Sequence, residues 1–255
     1  MPTLKPLIRR VSKLTNADRE VPRAAIRLLQ YAYLLLLNAL HERALVALKV
    51  KTDASDEIFV IDRLRAEVPG LITPQIRQLV DHAGRMLRES VDERLRRIAR
   101  IPPALLEHVG TLQVEQFRER NAHLIVTIGE EYLDALAARL GGPGAGLHIK
   151  GAADTIQEAF DVTRSRAEFW ARDQTLKLHA DINEARQTAV GVKHYIWRGC
   201  LDGKEREEHL ALEGTEQSWD DPPDTGDGET NHPGQDYNCR CNAEPVPPDE
   251  TDETA

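Results

Sequence analysis

Three cysteines and a histidine that lies between them in sequence have the clearest capacity for chemistry. Cys200, Cys239 and Cys241 all fall in the final quarter of the chain, and His209 lies nine residues after the first of them. Three thiolates and one imidazole are a complete tetrahedral ligand set for Zn²⁺. The sequence therefore predicts a structural zinc site formed by Cys200, His209, Cys239 and Cys241. The alternative interpretation treats the cysteines as compact core residues of a small β-module.

The spacing of these residues is unusual for zinc. A Cys-x-Cys pair in a strand directs both sulfurs to one face, whereas common zinc knuckles use Cys-x-x-Cys in a turn. An odd number of cysteines without a secretion signal argues against a disulfide framework. We therefore expect no disulfides and a protein made in the cytosol.

Nucleophilic catalysis is another interpretation of the same residues. Cys200 or Cys239 could pair with His209 or His194, although such pairs arise easily by chance among nine histidines. The chain contains neither a Gly-x-Ser-x-Gly elbow nor a phosphate-binding Gly-Lys-Ser/Thr loop. Sequence motifs thus give little support to a nucleophilic enzyme.

A metal-dependent nuclease or toxin-like hydrolase is a third interpretation. His209, Asn231 and His232 loosely resemble a histidine-and-asparagine nuclease core, in which a histidine activates water beside a metal. The paired histidine that usually opens such motifs is missing. We keep this enzyme as the alternative to a protein without catalytic residues.

Helical periodicity dominates the 190 residues that must position these groups. Thr73-Pro74 is typical of an N-cap followed by proline at the first helical position, and Pro102-Pro103 should end that helix. Its predicted buried face consists of Ile76, Val80, Ala83, Leu87, Val91, Leu95 and Ile98. The glycine-rich segment 141–146 should end a second helix, either as a hinge or as a series of turns. That second helix carries Phe117, Asn121, Leu124, Ile128, Tyr132, Ala135 and Leu140.

A third helix has its own start signal. Ser165 and Glu168 fit a capping box, which predicts that the helix begins there and ends at Gly191. Long amphipathic helices must bury their apolar stripes against each other or against a partner. Exposed stripes of that length would be a liability in a free monomer.

The pattern changes after Gly191. Residues 195–197 and 239–246 predict strands, Asp202-Gly203 a turn, 205–212 a short helix, and 213–230 a long irregular loop. The predicted class is α+β: a mostly helical N-terminal two thirds with long amphipathic helices, a small C-terminal α+β module and a disordered acidic tail. The predicted domains are residues 1–102, 103–190, 191–247 and the tail at 248–255.

Charge is distributed unevenly along the chain. Its formal net charge is −9, yet the segment from 213 to 255 has 13 acidic residues and one basic residue. The first thirty residues carry seven basic and two acidic residues, so they could contact DNA or form a solvated helix face. The most apolar stretch, residues 31–40, is shorter than the roughly 20 residues that span a bilayer. We therefore expect no membrane association.

The order of motifs in the last third of the chain resembles a known family. The run at 165–175 is followed by 191–197, by 202–214 with Arg206 and His209, by Pro233-Gly234, and by Asn238-Cys-Arg-Cys241. This combination resembles the phage Mu F-like minor head proteins, the head morphogenesis family of tailed bacteriophages. The helix around Phe117, Asn121 and residues 124–125 resembles that family more loosely.

The resemblance implies a function that composition does not reveal. Its members are structural virion proteins of the head interior or portal vertex, assembled in the host cytoplasm, with roles in head assembly and in DNA packaging or ejection. The implied partners are the portal and capsid proteins, with packaged DNA as a further partner of the basic N-terminal arm, and no catalytic residues are implied. Within the module we expect Trp197 in the core and Arg206 paired with Asp202, Asp220 or Asp221.

Overall fold

A computed structural model describes residues 21–49, 54–99, 106–140, 149–226 and 228–246. These residues form long helices first and a small strand-and-helix module last. The helices are α1 (Arg23–Lys49), α2 (Ala54–Glu67), α3 (Pro74–Ala99), α4 (Thr111–Leu140), α5 (Ile149–Ala189) and α6 (Glu207–Ala211), with a 3₁₀ turn at Val68–Leu71. The strands are β1 (His194–Arg198), β2 (Glu216–Ser218), β3 (Asp224–Gly226), β4 (Glu229–Thr230) and β5 (Asn242–Pro245).

This architecture confirms the predicted α+β class. The predicted acidic tail and the predicted helix end at Pro102-Pro103 lie outside the described residues, as does the glycine-rich segment after α4. Within the described part of the chain, no helix is both long and apolar enough to cross a membrane.

The chain divides into two compact units that are discontinuous in sequence. Of the described residues, the helical unit contains 26–49, 54–82, 118–140 and 149–172, and the terminal unit contains 21–25, 83–99, 106–117, 173–226 and 228–246. Helices α3, α4 and α5 each contribute residues to both units. The four domains predicted from the sequence remain a prediction.

Helix α3 begins as its sequence predicts. The hydroxyl of Thr73 accepts a hydrogen bond from the backbone N–H of Ile76 at 3.3 Å, and Pro74 occupies the first helical position. The predicted face is buried over its described positions, which are Ile76, Val80, Ala83, Leu87, Val91 and Leu95.

The predicted capping box at Ser165 is wrong. Helix α5 begins at Ile149 and runs through this point without interruption. Ser165 instead donates a hydrogen bond to the carbonyl of Asp161 at 3.1 Å, and Glu168 pairs with Arg164 at 3.1 Å. A serine in a helix interior bonds back to residue i−4 in this way. Buried residues upstream, such as Phe160, keep the chain helical before the serine.

A three-stranded antiparallel sheet organises the end of the terminal unit. Its order is β2-β1-β5, with Tyr195 opposite Pro245 and Trp197 opposite Ala243. The two predicted strands and the short helix α6 are thereby confirmed. The predicted irregular loop at 213–230 is wrong in part, because it contains β2 and the small hairpin of β3 and β4. Strands of two or three residues are too short to produce a recognisable alternation.

The helical unit has polar pairs inside its apolar core. The hydroxyl of Tyr33 donates to the side-chain oxygen of Asn121 at 2.8 Å, and His41 Nδ1 lies 3.0 Å from the hydroxyl of Tyr132. Phe160 packs against the His41 ring with centroids 4.3 Å apart. Asn121 is fully buried, so a position on the predicted apolar face of α4 serves as a hydrogen-bond acceptor.

Candidate functional site

Three of the four predicted metal ligands lie together in the terminal unit. His209 Nδ1 lies 3.5 Å from Cys239 Sγ and 3.7 Å from Cys241 Sγ. One donor atom from each of the three residues lies within 4.8 Å of the others, and all three side chains are buried. Residues that are far apart in sequence therefore form one cluster of nitrogen and sulfur donors.

Short elements position these three side chains. His209 occupies the last turn of α6, and its ring packs edge-on against Trp197 of β1 with centroids 5.5 Å apart. Trp197 is fully buried, which confirms its predicted place in the core. Cys239 and Cys241 lie just before β5 rather than inside it. The common direction of their side chains thus comes from the turn before the strand and not from strand alternation.

Cys200 lies apart from the other three. It follows β1, is half-buried, and its thiol donates to the carbonyl of Arg240 at 3.3 Å. Its sulfur is outside the three-donor cluster, yet the residue lines the same small cavity. The structure thus brings together three predicted ligands and places the fourth in the adjacent wall.

That cavity is polar, and several charged side chains line it. Its volume is about 160 Å³, and the three cysteines and His209 all face it. Its other lining residues are Lys204, Glu205, Arg206, Tyr237, Asn238 and Arg240. Lys204, Arg206 and Arg240 contribute positive charge to this lining and Glu205 contributes negative charge. The two arginines also pair with Asp236 and Asp202.

Asp236 holds the far side of the histidine ring. Its Oδ2 lies 3.3 Å from His209 Nε2 and accepts a bond from Arg206 Nη1 at 2.5 Å. The predicted pairing of Arg206 with Asp202, Asp220 or Asp221 is therefore wrong. Asp202 instead accepts two bonds from Arg240, at 2.5 and 2.8 Å. The turn at 232–238 brings Asp236 close to α6. The sequence could not show this contact, because Asp236 is far from α6 along the chain.

The thiols and the imidazole perturb each other's protonation. The pKa of Cys239 is lowered to about 5, first because Cys241 donates a hydrogen bond to it and then because His209 does. The pKa of Cys241 is raised because its proton is held in that bond. The pKa of His209 is raised because its charged ring donates to Cys239. The site therefore stabilises a thiolate beside an imidazolium.

Residues of the proposed nuclease core have different partners. The Tyr195 hydroxyl lies 2.9 Å from His232 Nδ1, and the His232 ring packs on Trp219 with centroids 4.9 Å apart. Asn231 donates to the hydroxyl of Thr225 at 3.1 Å. His209 contacts the cysteines instead, so these contacts do not join the three residues into one site. His194, the other candidate base, is exposed at the start of β1 and faces Glu216 at 3.7 Å.

A buried polar cluster behind the sheet escaped the sequence analysis. Arg94, Asn183 and Gln187 all donate to the backbone carbonyl of Ala243 in β5, at 3.3, 3.1 and 3.0 Å. The sequence could have revealed one of these residues. Arg94 follows Val91 by three residues and therefore lies beside the apolar face of α3. An arginine at such a position indicates a buried polar partner.

The chain matches one known family over part of its length. The family model described as phage Mu protein F like protein matches residues 134–244, which confirms the resemblance predicted from the sequence. An uncharacterized protein of Haemophilus influenzae is 37% identical over 137 residues. That alignment covers 53% of this chain and 30% of the relative, so the chain spans less than a third of that relative's length. No solved structure matches the chain.

Proposed function

We propose, from the premise that residues 134–244 belong to the phage Mu protein F like family, that this chain is a minor head protein of a tailed bacteriophage. It acts in head morphogenesis as a structural component of the virion. It binds the portal protein at the vertex through which DNA enters and leaves the head. The family match carries this proposal, because a fold of long helices and a small sheet suits many functions.

The helical unit has a surface that suits assembly. Val162 and Phe169 are two turns apart on α5, and their exposed fractions are 59% and 43%. A spacing of seven residues places them on the same face of the helix. Exposed apolar side chains that share a face favour contact with another protein over permanent solvation. This face is our candidate for the portal or capsid contact.

Co-expression with the portal protein of the same phage tests the proposal. Size-exclusion chromatography with mass determination should give a complex of defined stoichiometry. Val162→Ser with Phe169→Ser should abolish it, whereas Leu112→Ser, which alters another exposed side chain, should leave it intact. A monodisperse protein that ignores the portal would contradict the proposal.

The basic N-terminal arm forms a second part of the proposal. We assign it a contact with packaged DNA, because the first thirty residues carry seven basic and two acidic residues. Residues 1–20 lie outside the described residues, so charge alone supports this contact. DNA affinity should fall with salt by a logarithmic slope of about −0.9 per phosphate contact. A chain that begins at residue 21 should lose most of that slope.

An enzyme remains the alternative because of one arrangement in the terminal unit. His209 lies between Cys239 and Asp236, in the order that a nucleophile, a base and an orienting carboxylate would take. Purified full-length protein with Zn²⁺, Mg²⁺ or Mn²⁺ should be assayed for nuclease and esterase activity. Turnover that His209→Ala abolishes would favour the hydrolase. A portal complex without turnover would favour the head protein.

A further inference from the structure

The cluster of His209, Cys239 and Cys241 has no part in portal binding as proposed above, and its chemistry points elsewhere. We propose that these three residues bind one Zn²⁺ ion and that Cys200 supplies the fourth ligand. Zinc prefers thiolate and imidazole donors and is four-coordinate in structural sites. The inference does not depend on the proposed function, because metal content can be measured without any phage partner.

The distances from the histidine nitrogen to the two sulfurs match those around a tetrahedral zinc ion. Zinc lies about 2.3 Å from sulfur and about 2.0–2.1 Å from nitrogen, so a tetrahedral angle separates the two donors by about 3.6 Å. The observed separations from His209 Nδ1 are 3.5 Å to Cys239 Sγ and 3.7 Å to Cys241 Sγ. Both nitrogen–sulfur separations therefore fit an ion bound between the histidine and the two cysteines, whose donor atoms all lie within 4.8 Å of one another.

The surroundings of the histidine resemble those of a metal ligand. When one ring nitrogen binds a metal, the other usually donates to a carboxylate that fixes the orientation of the ring. Asp236 lies 3.3 Å from His209 Nε2, on the side of the ring away from the sulfurs. Arg206 holds that carboxylate by a bond of 2.5 Å. The ring is thus oriented with Nδ1 toward both cysteines.

The pairing of two thiols with one nitrogen distinguishes a metal site from a nucleophile. A Cys–His nucleophile requires one thiol and one base, so that role does not account for a second thiol placed at the same ring nitrogen. Here both Cys239 and Cys241 face His209 Nδ1, and both are buried. In addition, the backbone N–H of Gly234 donates to Cys239 Sγ at 3.3 Å and so supports negative charge on that sulfur. A metal ion would bind both sulfurs and the ring nitrogen, and the N–H of Gly234 would stabilise one of the thiolates.

Cys200 completes the set from the wall of the same cavity. Its thiol now donates to the carbonyl of Arg240, the residue between the other two cysteines. Rotation of the side chain toward the cluster would exchange that hydrogen bond for a bond to the metal. Three thiolates and Zn²⁺ together carry one negative charge. Lys204, Arg206 and Arg240 line the cavity, and the two arginines also pair with Asp236 and Asp202.

Such an ion would hold together three segments of the terminal unit. Cys200 follows β1, His209 belongs to α6, and the remaining two ligands precede β5. The strands of this module are only two to five residues long. Small modules of this kind often rely on a metal where apolar burial is limited. We therefore assign the ion a structural role.

Metal analysis of the full-length protein, purified with a tag that contains no histidine, tests the inference. We expect about one zinc per chain by mass spectrometry of the metal content. Cys239→Ser, Cys241→Ser and His209→Gln should each lower the occupancy at least tenfold. His108→Gln removes an exposed histidine and should leave it unchanged. Cys200→Ser should weaken binding at least tenfold, and unchanged affinity in this variant would overturn the assignment of the fourth ligand.

A second measurement on the unaltered protein excludes misfolding as the cause. Replacement of zinc by Co²⁺ should produce the intense visible bands of a tetrahedral ion and the ultraviolet charge-transfer bands of thiolate bonds. Zinc occupancy below a tenth, together with the absence of these bands, would overturn the proposal.

Discussion

Arg94 in α3 donates a hydrogen bond to the side-chain oxygen of Asn183 in α5 at 2.5 Å, and both side chains are buried. The two residues also donate to the same carbonyl, that of Ala243 in β5. Arg94 lies forty residues before the start of the family match at residue 134. The compact unit that contains the C-terminal sheet therefore depends on a helix outside the matched segment.

We expect Arg94→Ala to destabilise the protein. The substitution removes a charged hydrogen bond to Asn183, and bonds of this kind contribute about 1.5–3 kcal/mol. It also leaves unfilled space beside α5, which adds to the loss. Urea denaturation monitored by circular dichroism measures the free energy of unfolding.

Arg96→Ala is the matched control, because Arg96 is exposed and pairs with Glu93 at the surface. Exposed pairs contribute about 0–1 kcal/mol. Equal denaturation midpoints for the two variants would contradict the assigned role of Arg94.

The helices show how much the sequence can predict. The buried face of α3 follows from apolar residues at steps of three and four, because that spacing reflects helix geometry directly. The start of α5 does not follow from Ser165 and Glu168, because a local motif competes with burial of residues upstream. The interior of the unit, which includes Phe160, decides that the helix continues.

For the candidate site too, the sequence predicted some features and not others. Residue types alone predicted Cys200, His209, Cys239 and Cys241 as one set of metal ligands. The structure places all four in the lining of one cavity and three of them in one donor cluster. The position of Asp236 behind the histidine could not be predicted, because it depends on the path of the turn at 232–238. Side-chain chemistry is local and can be recognised in a sequence, whereas the return of a loop to a helix depends on tertiary packing.

Gly234→Ala should destabilise the terminal unit through a steric clash. Gly234 has a φ of +90°, and an added Cβ would lie 2.8 Å from the Cβ of Ala180 in α5. Gly203→Ala is the control, because Gly203 has a φ of +75° with nothing within 4 Å of an added Cβ. Both variants incur the backbone cost of positive φ, so their difference should be the overpacking cost of about 1–3 kcal/mol. Thermal denaturation of the two variants measures this difference, and identical unfolding would show that the contact with Ala180 is relieved at no cost.

Tyr195→Phe should also lower stability. The hydroxyl of Tyr195 lies 2.9 Å from His232 Nδ1, and the tyrosine is fully buried. The substitution leaves the histidine nitrogen without this partner, at a cost of about 1–3 kcal/mol. Tyr237→Phe, at a residue that is 64% exposed, should change the free energy of unfolding by less than a third of that amount. Denaturant titrations of both variants provide the measurement, and a neutral Tyr195→Phe would mean that the bond contributes nothing net.

His179 should make the protein less stable in mild acid. Burial, and then the nearby positive charge of Arg94, lowers the pKa of His179 from 6.5 to about 3. Between these values the unfolded chain binds a proton that the folded chain does not, so stability is complete above pH 6.5 and falls as the pH decreases toward 3. One proton corresponds to about 1.4 kcal/mol per pH unit, so His179 alone should remove about 2 kcal/mol between pH 7.5 and 5.

The pKa values of His41 and His232 are also lowered, mainly by burial, so comparison of variants is required to isolate His179. His179→Gln cannot be protonated, so its free energy of unfolding should decrease less steeply from pH 7.5 to 5 than that of the unaltered protein. The comparison is between the slopes of the free energy of unfolding against pH. A constant change in that free energy caused by altered packing therefore does not affect it. His108→Gln, at an exposed position, should give a curve parallel to that of the unaltered protein. Parallel curves for His179→Gln and the unaltered protein would show that His179 is protonated in the folded state, against the burial that the structure assigns to it.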